Sequence, residues 1–287
     1  MPDPSAPELS TSAPELSTSG RLTVRKTYKL FIGGKFPRSE SGRTYLVDGS
    51  NVALASRKDV RDAVLAAREA QPGWAGATAY NRGQILYRTA EMLEGRRAEF
   101  AALGFPAAEI DAATDRWVWY AGWADKISQV YGGANPVAGP FFNLSSPEPT
   151  GVVGVVAPAS LLGLVSVIAP AIVTGNTVVV LAGTPLAAVT LAEVLATSDL
   201  PGGVVNILTG DAAETAPWLA SHDDVNAVDL TGVTDADLAA RLEEAAAGNL
   251  KRVLRPAEGP TDFAGDPGLD RMTALLETKT VWHSRGF

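Results

Sequence analysis

The sequence contains no cysteine and only two histidines, His222 and His283. Disulfide bonds and thiolate metal sites are therefore excluded, and so is a histidine-rich metal cluster. Lysine and arginine are outnumbered by acidic residues, 24 against 32, which gives a formal net charge of −8. Nucleic-acid sites need clustered basic side chains, so we expect neither a metal site nor a nucleic-acid partner.

Long uninterrupted hydrophobic runs are also missing. The longest apolar stretch, around 152–173, is interrupted by prolines, serines and a glycine, which predicts a strand followed by a helix rather than a membrane span. The N-terminus has no basic region followed by an apolar one and does not match a secretory signal. We therefore expect a soluble, cytoplasmic protein with no membrane partner.

Residues 1–20 are predicted to form a disordered tail. The seven residues at 5–11, rich in Ser, Thr, Pro and Glu, are repeated without change at 12–18. Such a segment buries too little apolar surface to offset the conformational entropy lost on ordering.

From residue 151 onwards, apolar segments typical of buried strands alternate with helical ones. Strands are predicted at 152–156, 177–181, 204–208, 225–230 and 251–254. This alternation predicts an α/β fold with a Rossmann-like parallel sheet and helices on both faces. Ligands of such sheets bind at the carboxyl ends of the strands. Upstream, helices are predicted from Ser56 to Pro72, over 80–101 and over 107–128, the last carrying an aromatic cluster that we interpret as core.

Two further segments lie outside this pattern. Residues 130–150 are rich in glycine and proline and fit either an irregular loop or a β excursion that leaves the domain. After Asp270 a short helix, 272–277, is predicted to lead into 278–283, whose alternation is typical of an edge or exchanged strand.

Seven short segments, in a constant order over about 28–254, together resemble the aldehyde dehydrogenase family. They are Leu30-Phe-Ile-Gly-Gly-Lys35, Tyr120-Ala-Gly-Trp-Ala-Asp-Lys126, Glu148-Pro-Thr-Gly-Val-Val-Gly154, Ile168-Ala-Pro-Ala171, Thr174-Gly-Asn-Thr-Val-Val179, Leu200-Pro-Gly-Gly-Val-Val-Asn206 and Leu230-Thr-Gly232. The segment Glu277-Thr-Lys-Thr-Val-Trp282 also resembles the family's C-terminal strand. The resemblance implies NAD(P)-dependent oxidation of aldehydes, and it skips the family's catalytic domain.

The resemblance also implies a division of the chain. The nucleotide-binding domain would comprise 21–129 and 151–256, after the tail at 1–20. Residues 130–150 and 278–287 would form the family's protruding β oligomerisation arm and C-terminal strand.

The catalytic positions implied by the resemblance hold other residues. The family's nucleophile is a cysteine thiolate, and the chain has no cysteine. Its oxyanion-stabilising Asn corresponds to Ser160, and its general base Glu corresponds to Pro256, with Glu258 two residues away. We therefore assign no catalytic residue and predict that the chain is not an enzyme by itself.

The implied cofactor site is altered as well. Its candidate residues are Gly210, Thr231, Gly232 and Val233, where Val233 replaces the family's Ser. The Lys-Pro-x-Glu that bonds the adenosine ribose in the family has no charged counterpart in 180–185. We predict a degenerate site with no tightly bound cofactor, at which NAD would bind weakly.

These observations favour a catalytically inactive subunit that assembles with a full-length aldehyde dehydrogenase homologue in a hetero-oligomer. An alternative is an NAD-binding oxidoreductase with non-cysteine chemistry, which would need Ser160 beside His222 or His283. A gene product without a function is a further alternative. A structural Ser160 is the simpler interpretation, because His222 precedes a different strand at its opposite end.

Overall fold

The computed structural model describes residues 24–259 and 261–286. The predicted disordered tail at 1–20 lies outside this range. A small sheet comes first, formed by β1 (Thr27–Tyr28), β2 (Thr44–Val47) and β3 (Ser50–Ala53) in the order β1-β3-β2. Strands β2 and β3 form a hairpin that turns at Asp48 and Gly49, both with positive φ, as a two-residue type I′ turn requires.

Five helices follow, and two of them are shorter than the sequence predicts. They are α1 (Arg57–Gly76), α2 (Ala79–Gly95), α3 (Arg97–Ala102), α4 (Ala107–Trp123) and α5 (Ile127–Tyr131). The helices predicted over 80–101 and 107–128 are each divided, with breaks beside Gly95 and Gly122, because glycine has low helix propensity. Helix α1 continues past Pro72, where an end was predicted, since Trp74 is buried there and donates from Nε1 to the Ile172 carbonyl at 2.8 Å.

The main sheet has five parallel strands, which confirms the predicted α/β fold with a Rossmann-like sheet. Its elements, in chain order, are β6 (Val152–Val156), α6 (Leu161–Val173), β7 (Thr177–Leu181), α7 (Pro185–Ala196), β8 (Val205–Leu208), α8 (Ala212–Ala220), β9 (Ala227–Asp229), α9 (Ala236–Ala246) and β10 (Arg252–Leu254). The strand order is β10-β9-β6-β7-β8. From β6 the chain adds β7 and then β8 on one side, and it then adds β9 and β10 on the other side of β6. The strand order therefore reverses between β6 and β9.

Both faces of this sheet are covered. Alternate side chains of β6 and β7 pack into different layers: Val153 and Val178 join α2, α4, α6 and α7, whereas Val152 and Val179 join α1, α8 and α9. Because successive side chains of a strand point to opposite faces, each strand contributes to a hydrophobic core on each face of the sheet. The aromatic residues of α4 belong to the first core, with Trp117 fully buried.

The third sheet is formed by segments far apart in sequence. Its strands are β4 (Gly133–Asn135), β5 (Phe141–Pro149) and β11 (Leu276–Ser284), in the antiparallel order β11-β5-β4. We call this three-stranded sheet the arm. Residues 130–150 therefore contain two strands rather than an irregular loop.

The end of the chain differs from the prediction in two ways. The preceding helix, α10 (Asp270–Thr273), is shorter than predicted, and β11 starts earlier. The cause is pairing with β5, which extends from Leu276 opposite Pro149 to Ser284 opposite Phe141. The strand is thus paired within its own chain, at the edge of this sheet.

Candidate functional site

A crevice of about 850 Å³ opens at the carboxyl ends of β6 and β9, where the strand order reverses. The two strand ends are in close contact. A Cβ added to Gly232 would lie only 2.3 Å from the Ala157 carbonyl oxygen, so no side chain fits between them. This is the place at which open α/β sheets bind ligands. Its lining comes from both strand ends, α9 and the segment after β10: Pro158, Ala159, Thr231, Gly232, Val233, Thr234, Asp235, Ala236, Ala239, Ala240, Glu243, Arg255, Pro256, Ala257, Glu258, Gly259, Thr261 and Phe263.

Three of the four predicted cofactor-binding residues line this crevice. They are Thr231, Gly232 and Val233. Gly210 does not belong to the lining. It follows β8, and a Cβ added to it would lie 3.0 Å from Leu54 Cδ1, at the junction with the small N-terminal sheet.

The Thr231 hydroxyl is already engaged in an ionic network. It donates to Asp229 Oδ1, which also accepts the Thr231 backbone N–H at 2.9 Å. Arg271, from α10, donates to Asp229 Oδ2 at 3.0 Å and to Thr231 Oγ1 at 3.1 Å. The Asp229 side chain is 2% exposed, so this is a buried carboxylate whose cationic partner is Arg271. The prediction missed both charged residues, although an acidic residue within an apolar strand is a visible signal.

The N-termini of the two helices beside the crevice are capped by carboxylates of the chain itself. Glu109 of α4 accepts the N–H groups of Leu161 and Leu162, at 2.8 and 3.3 Å, at the start of α6. Asp235 accepts those of Asp237 and Leu238, at 2.9 and 3.3 Å, at the start of α9. Free N–H groups at a helix N-terminus bind anions, and these N–H groups already have anionic partners.

Ser160, at the position of the family's oxyanion-stabilising Asn, is the N-cap of α6. Its Oγ accepts the Gly163 N–H at 2.9 Å. Neither histidine is near it: His222 lies in a separate groove between α1 and α8, and His283 lies on β11. The chain therefore does not assemble the Ser–His pair that the alternative hypothesis requires. Pro256 and Glu258 both line the crevice.

The segment between β10 and α10, described at 255–259 and 261–269, forms one wall of the crevice. Arg116 of α4 fixes it by donating from Nη2 to the carbonyls of Phe263 and Gly265, at 2.5 and 3.0 Å. The Tyr120 hydroxyl is buried one turn further along α4 without a hydrogen-bond partner. Burial raises the pKa of Tyr120 to about 12, and the nearby charges of Arg116 and Arg271 oppose this shift.

Two other site types receive no support from the described part of the chain. Residues 24–259 and 261–286 contain no group of three or more acidic or histidine side chains that could hold a metal ion. No helix within these residues has both the length and the apolar character needed to cross a membrane.

Comparison with known proteins identifies the family of this fold. Residues 48–263 match the model of the aldehyde dehydrogenase family. The chain is 37% identical to cytosolic aldehyde dehydrogenase 1 of Elephantulus edwardii over 269 residues, covering 84% of this chain and 53% of that protein. It is 35% identical to cytosolic 10-formyltetrahydrofolate dehydrogenase of Mus musculus over 242 residues, covering 75% and 26%. The NAD⁺ complex of aldehyde dehydrogenase from Bacillus cereus superimposes with a TM-score of 0.72 at 28% identity, over 79% of this chain and 50% of that one.

The chain belongs to the aldehyde dehydrogenase family, as its sequence motifs predict. It spans about half the length of relatives such as the Elephantulus edwardii enzyme. The prediction that the chain is not an enzyme is wrong, because its relatives are aldehyde dehydrogenases, which are enzymes. Ser160, Pro256 and the lack of cysteine do not by themselves show lost activity, and the crevice is formed.

The family implies NAD, and the crevice fits it only in part. The crevice beside the ends of β6 and β9 is lined by small apolar side chains of α9. The helix N–H groups that would hold a pyrophosphate are bound by Glu109 and Asp235. The shape therefore suits a nucleotide, whereas the available donors do not favour its phosphates.

Proposed function

We propose that this chain is the nucleotide-binding and assembly part of an aldehyde-oxidising enzyme, in which it forms a hetero-oligomer with a full-length aldehyde dehydrogenase homologue. The observation that carries this proposal is the coexistence of two features: a formed crevice where the strand order reverses, and an arm with exposed apolar side chains. The cytosolic relatives support a cytoplasmic location.

The crevice supplies the nucleotide-binding part. Solved relatives that superimpose on this fold include an NAD⁺ complex. Three of the predicted cofactor residues face the crevice, and its acidic lining, with Asp235 and Glu258, makes NAD binding weak. The charged Lys and Glu that bond the adenosine ribose in the family also have no counterpart in 180–185. Loss of one such charge-assisted hydrogen bond costs about 1.5–3 kcal/mol, which is a factor of ten or more in affinity.

The arm supplies the assembly part. Residues opposite one another in an antiparallel pair point to the same face, so Phe142 and Leu144 of β5 share a face with His283 and Val281 of β11. Phe142 and Leu144 are each 43% exposed. Exposed apolar side chains beside an open strand edge need a partner to avoid aggregation.

The partner supplies the nucleophile. A thiolate attacks an aldehyde carbonyl readily near neutral pH, and these 287 residues contain no cysteine. In the proposed enzyme the full-length homologue carries a reacting thiolate. The arm is the surface through which this chain contacts that homologue.

The test is co-expression with a full-length aldehyde dehydrogenase from the same genome, followed by size-exclusion chromatography with light scattering. We expect a stable complex that oxidises aldehydes with NAD and that loses this activity when the partner's cysteine is replaced. Elution of the two chains as separate species at micromolar concentration would refute the assembly.

A matched pair of variants locates the contact. Leu144→Asp places a charge on the apolar face of the arm, so it should dissociate the complex. Leu46→Asp makes the same change at a leucine that is 63% exposed on β2 and lies outside the arm, so the complex should persist. Equal loss of the complex in both variants would count against the arm.

A further inference from the structure

We infer that the crevice is open on only one side of the point where the strand order reverses, and that it accepts the adenosine half of a dinucleotide without the other half. This inference rests on the proposed nucleotide-binding function. Dinucleotides on such folds lie across this point and use both sides of it. The two sides are unequal in this chain.

The side above α6 is filled. Cε2 of the Phe263 ring lies 3.3 Å from the position that a Cβ on Gly163 would take, so the ring rests on the first turn of α6. The N–H groups of that turn are bound by Glu109 and by Ser160. Neither space nor hydrogen-bond donors remain there for half of a dinucleotide.

Two arginine side chains, of which Arg116 is buried, hold Phe263 in this position. Arg116, which is 7% exposed, binds the carbonyls on either side of Ala264. The guanidinium of Arg271 lies 5.9 Å from the Phe263 ring centroid and is itself anchored to Asp229. Moving Phe263 would leave the carbonyl partners of Arg116 in solvent and the guanidinium without them, which is costly for a buried charge.

The side above α9 is open. Ala236, Ala239 and Ala240 line it with small apolar side chains, which suit the flat surface of an adenine ring. Glu258 lies in the same lining, beside Glu243, which forms an ion pair with Arg255 at 2.8 Å. Carboxylates are the usual acceptors for ribose hydroxyl groups, so Glu258 is the candidate for this role. The open side therefore matches an adenosine moiety.

The experiment compares three ligands by isothermal titration calorimetry: AMP, nicotinamide mononucleotide and NAD. We expect the wild-type chain to bind AMP and NAD with dissociation constants within about threefold of each other and to show no binding of nicotinamide mononucleotide, because the second half of NAD makes no contact. An NAD affinity at least about tenfold above that of AMP in the wild-type chain would overturn the inference.

Two variants test the filled side directly. Phe263→Ala should tighten NAD binding about tenfold, leave AMP binding unchanged and allow nicotinamide mononucleotide to bind beside AMP. Arg116→Met removes the anchor without changing Phe263 and should act in the same direction. Tyr87→Ala, at an exposed aromatic residue of α2 away from both the crevice and the arm, is the control and should change neither affinity.

The outcomes separate this inference from the proposed function. If AMP binds and Phe263→Ala leaves NAD affinity unchanged, the inference is wrong while the nucleotide site stands. If neither AMP nor NAD binds any form of the chain, the nucleotide-binding function fails and the inference fails with it. The wild-type comparison of AMP with NAD decides the matter even if both variants misfold.

Discussion

Asp229 shows how one residue connects the sheet to the end of the chain. A carboxylate buried at the end of a central strand is costly unless it is paired. Arg271 supplies the pair from 42 positions later, and Thr231 completes the coordination of Oδ1. The contact therefore fixes α10 against the carboxyl edge of the sheet.

Removal of Arg271 should be strongly destabilising. Arg271→Ala leaves Asp229 buried without a cation, for an expected loss of about 3 kcal/mol in the free energy of unfolding. The double variant Asp229→Ala with Arg271→Ala should recover part of this loss, because no uncompensated charge remains. Urea unfolding of the four forms measures the coupling, and strictly additive losses would show that the two side chains do not interact.

Tyr120 should make the protein sensitive to alkaline pH. Its pKa is raised to about 12 in the folded state by burial, from an ordinary value of 10.0. Between these values the unfolded chain releases the proton and the folded chain keeps it, so stability is intact below pH 10 and decreases as the pH rises towards 12. Two pKa units correspond to about 2–3 kcal/mol at most.

Tyr120→Phe should remove this loss. At pH 7 the variant should be as stable as the wild type or slightly more so, because the hydroxyl has no hydrogen-bond partner. Urea unfolding at pH 7 and pH 11 provides the comparison. A wild type and variant with identical pH dependence would mean that this hydroxyl ionises equally in both states.

Among the elements, β11 has the clearest assignable role, because it gives β5 its long partner. Lys279 and Glu148 form an ion pair at 2.9 Å across these strands, and Arg252 reaches from β10 to Glu277 at 2.7 Å. The last strand thus links the arm to the main sheet. Its outer edge remains unpaired within the described residues.

Deletion of 277–287 should abolish the hetero-oligomer and leave the five-stranded sheet folded, since both of its cores lie upstream of the deletion. Val281→Pro should weaken assembly in the same way, because proline interrupts strand pairing. Light scattering of the co-expressed chains measures whether the hetero-oligomer forms. Circular dichroism of the isolated chain measures whether the five-stranded sheet stays folded. If the shortened chain still co-elutes with its partner, the contact must come from β4 and β5.

The elements that could be predicted are those whose pattern is local. The apolar strands after 151 and the turns between them follow from periodicity, and the motif order gives the family. The turn at Asp48 and Gly49 carried a local signal as well, but it was overlooked. No local pattern predicts the pairing of β11 with β5, because a strand's own residues do not specify a partner so far away in the sequence. Only the family resemblance groups 130–150 with 278–287.

The residues of the site also fall into those that a local pattern predicts and those that it does not. Thr231, Gly232 and Val233 follow a strand and could be placed at its carboxyl end. Their network with Arg271 depends on how the chain returns after β10, which composition does not reveal. Gly210 was grouped with them by motif, yet it lies two strands away from β6 on the other side.

The net charge of the whole chain has the same sign as the charge of a phosphate-bearing ligand. The chain has a formal net charge of −8, and Asp235, Glu243 and Glu258 face the crevice against one cation, Arg255, which is paired with Glu243 at 2.8 Å. A phosphate-bearing ligand therefore meets repulsion that mobile ions screen.

Affinity for NAD should consequently hold steady or improve as salt rises from roughly 20 to 200 mM, since the Debye length shortens over this range. Sites rich in lysine and arginine show the opposite trend. Titrations at several salt concentrations, with sulfate-free buffers, measure the slope. A marked weakening of NAD binding with salt would mean that the ligand meets a basic surface.

The arm can fold completely only late in synthesis, because β5 pairs with a strand that is made much later. Ser145 of β5 and Thr280 of β11 bond to each other across 135 positions. On a translating ribosome β5 emerges with the whole parallel sheet still to be made, and it waits with one edge open until β11 has left the exit tunnel. A slow stretch of translation between these strands would prolong that wait, and a co-translational encounter with a partner's nascent or finished arm would compete with closure by the chain's own last strand.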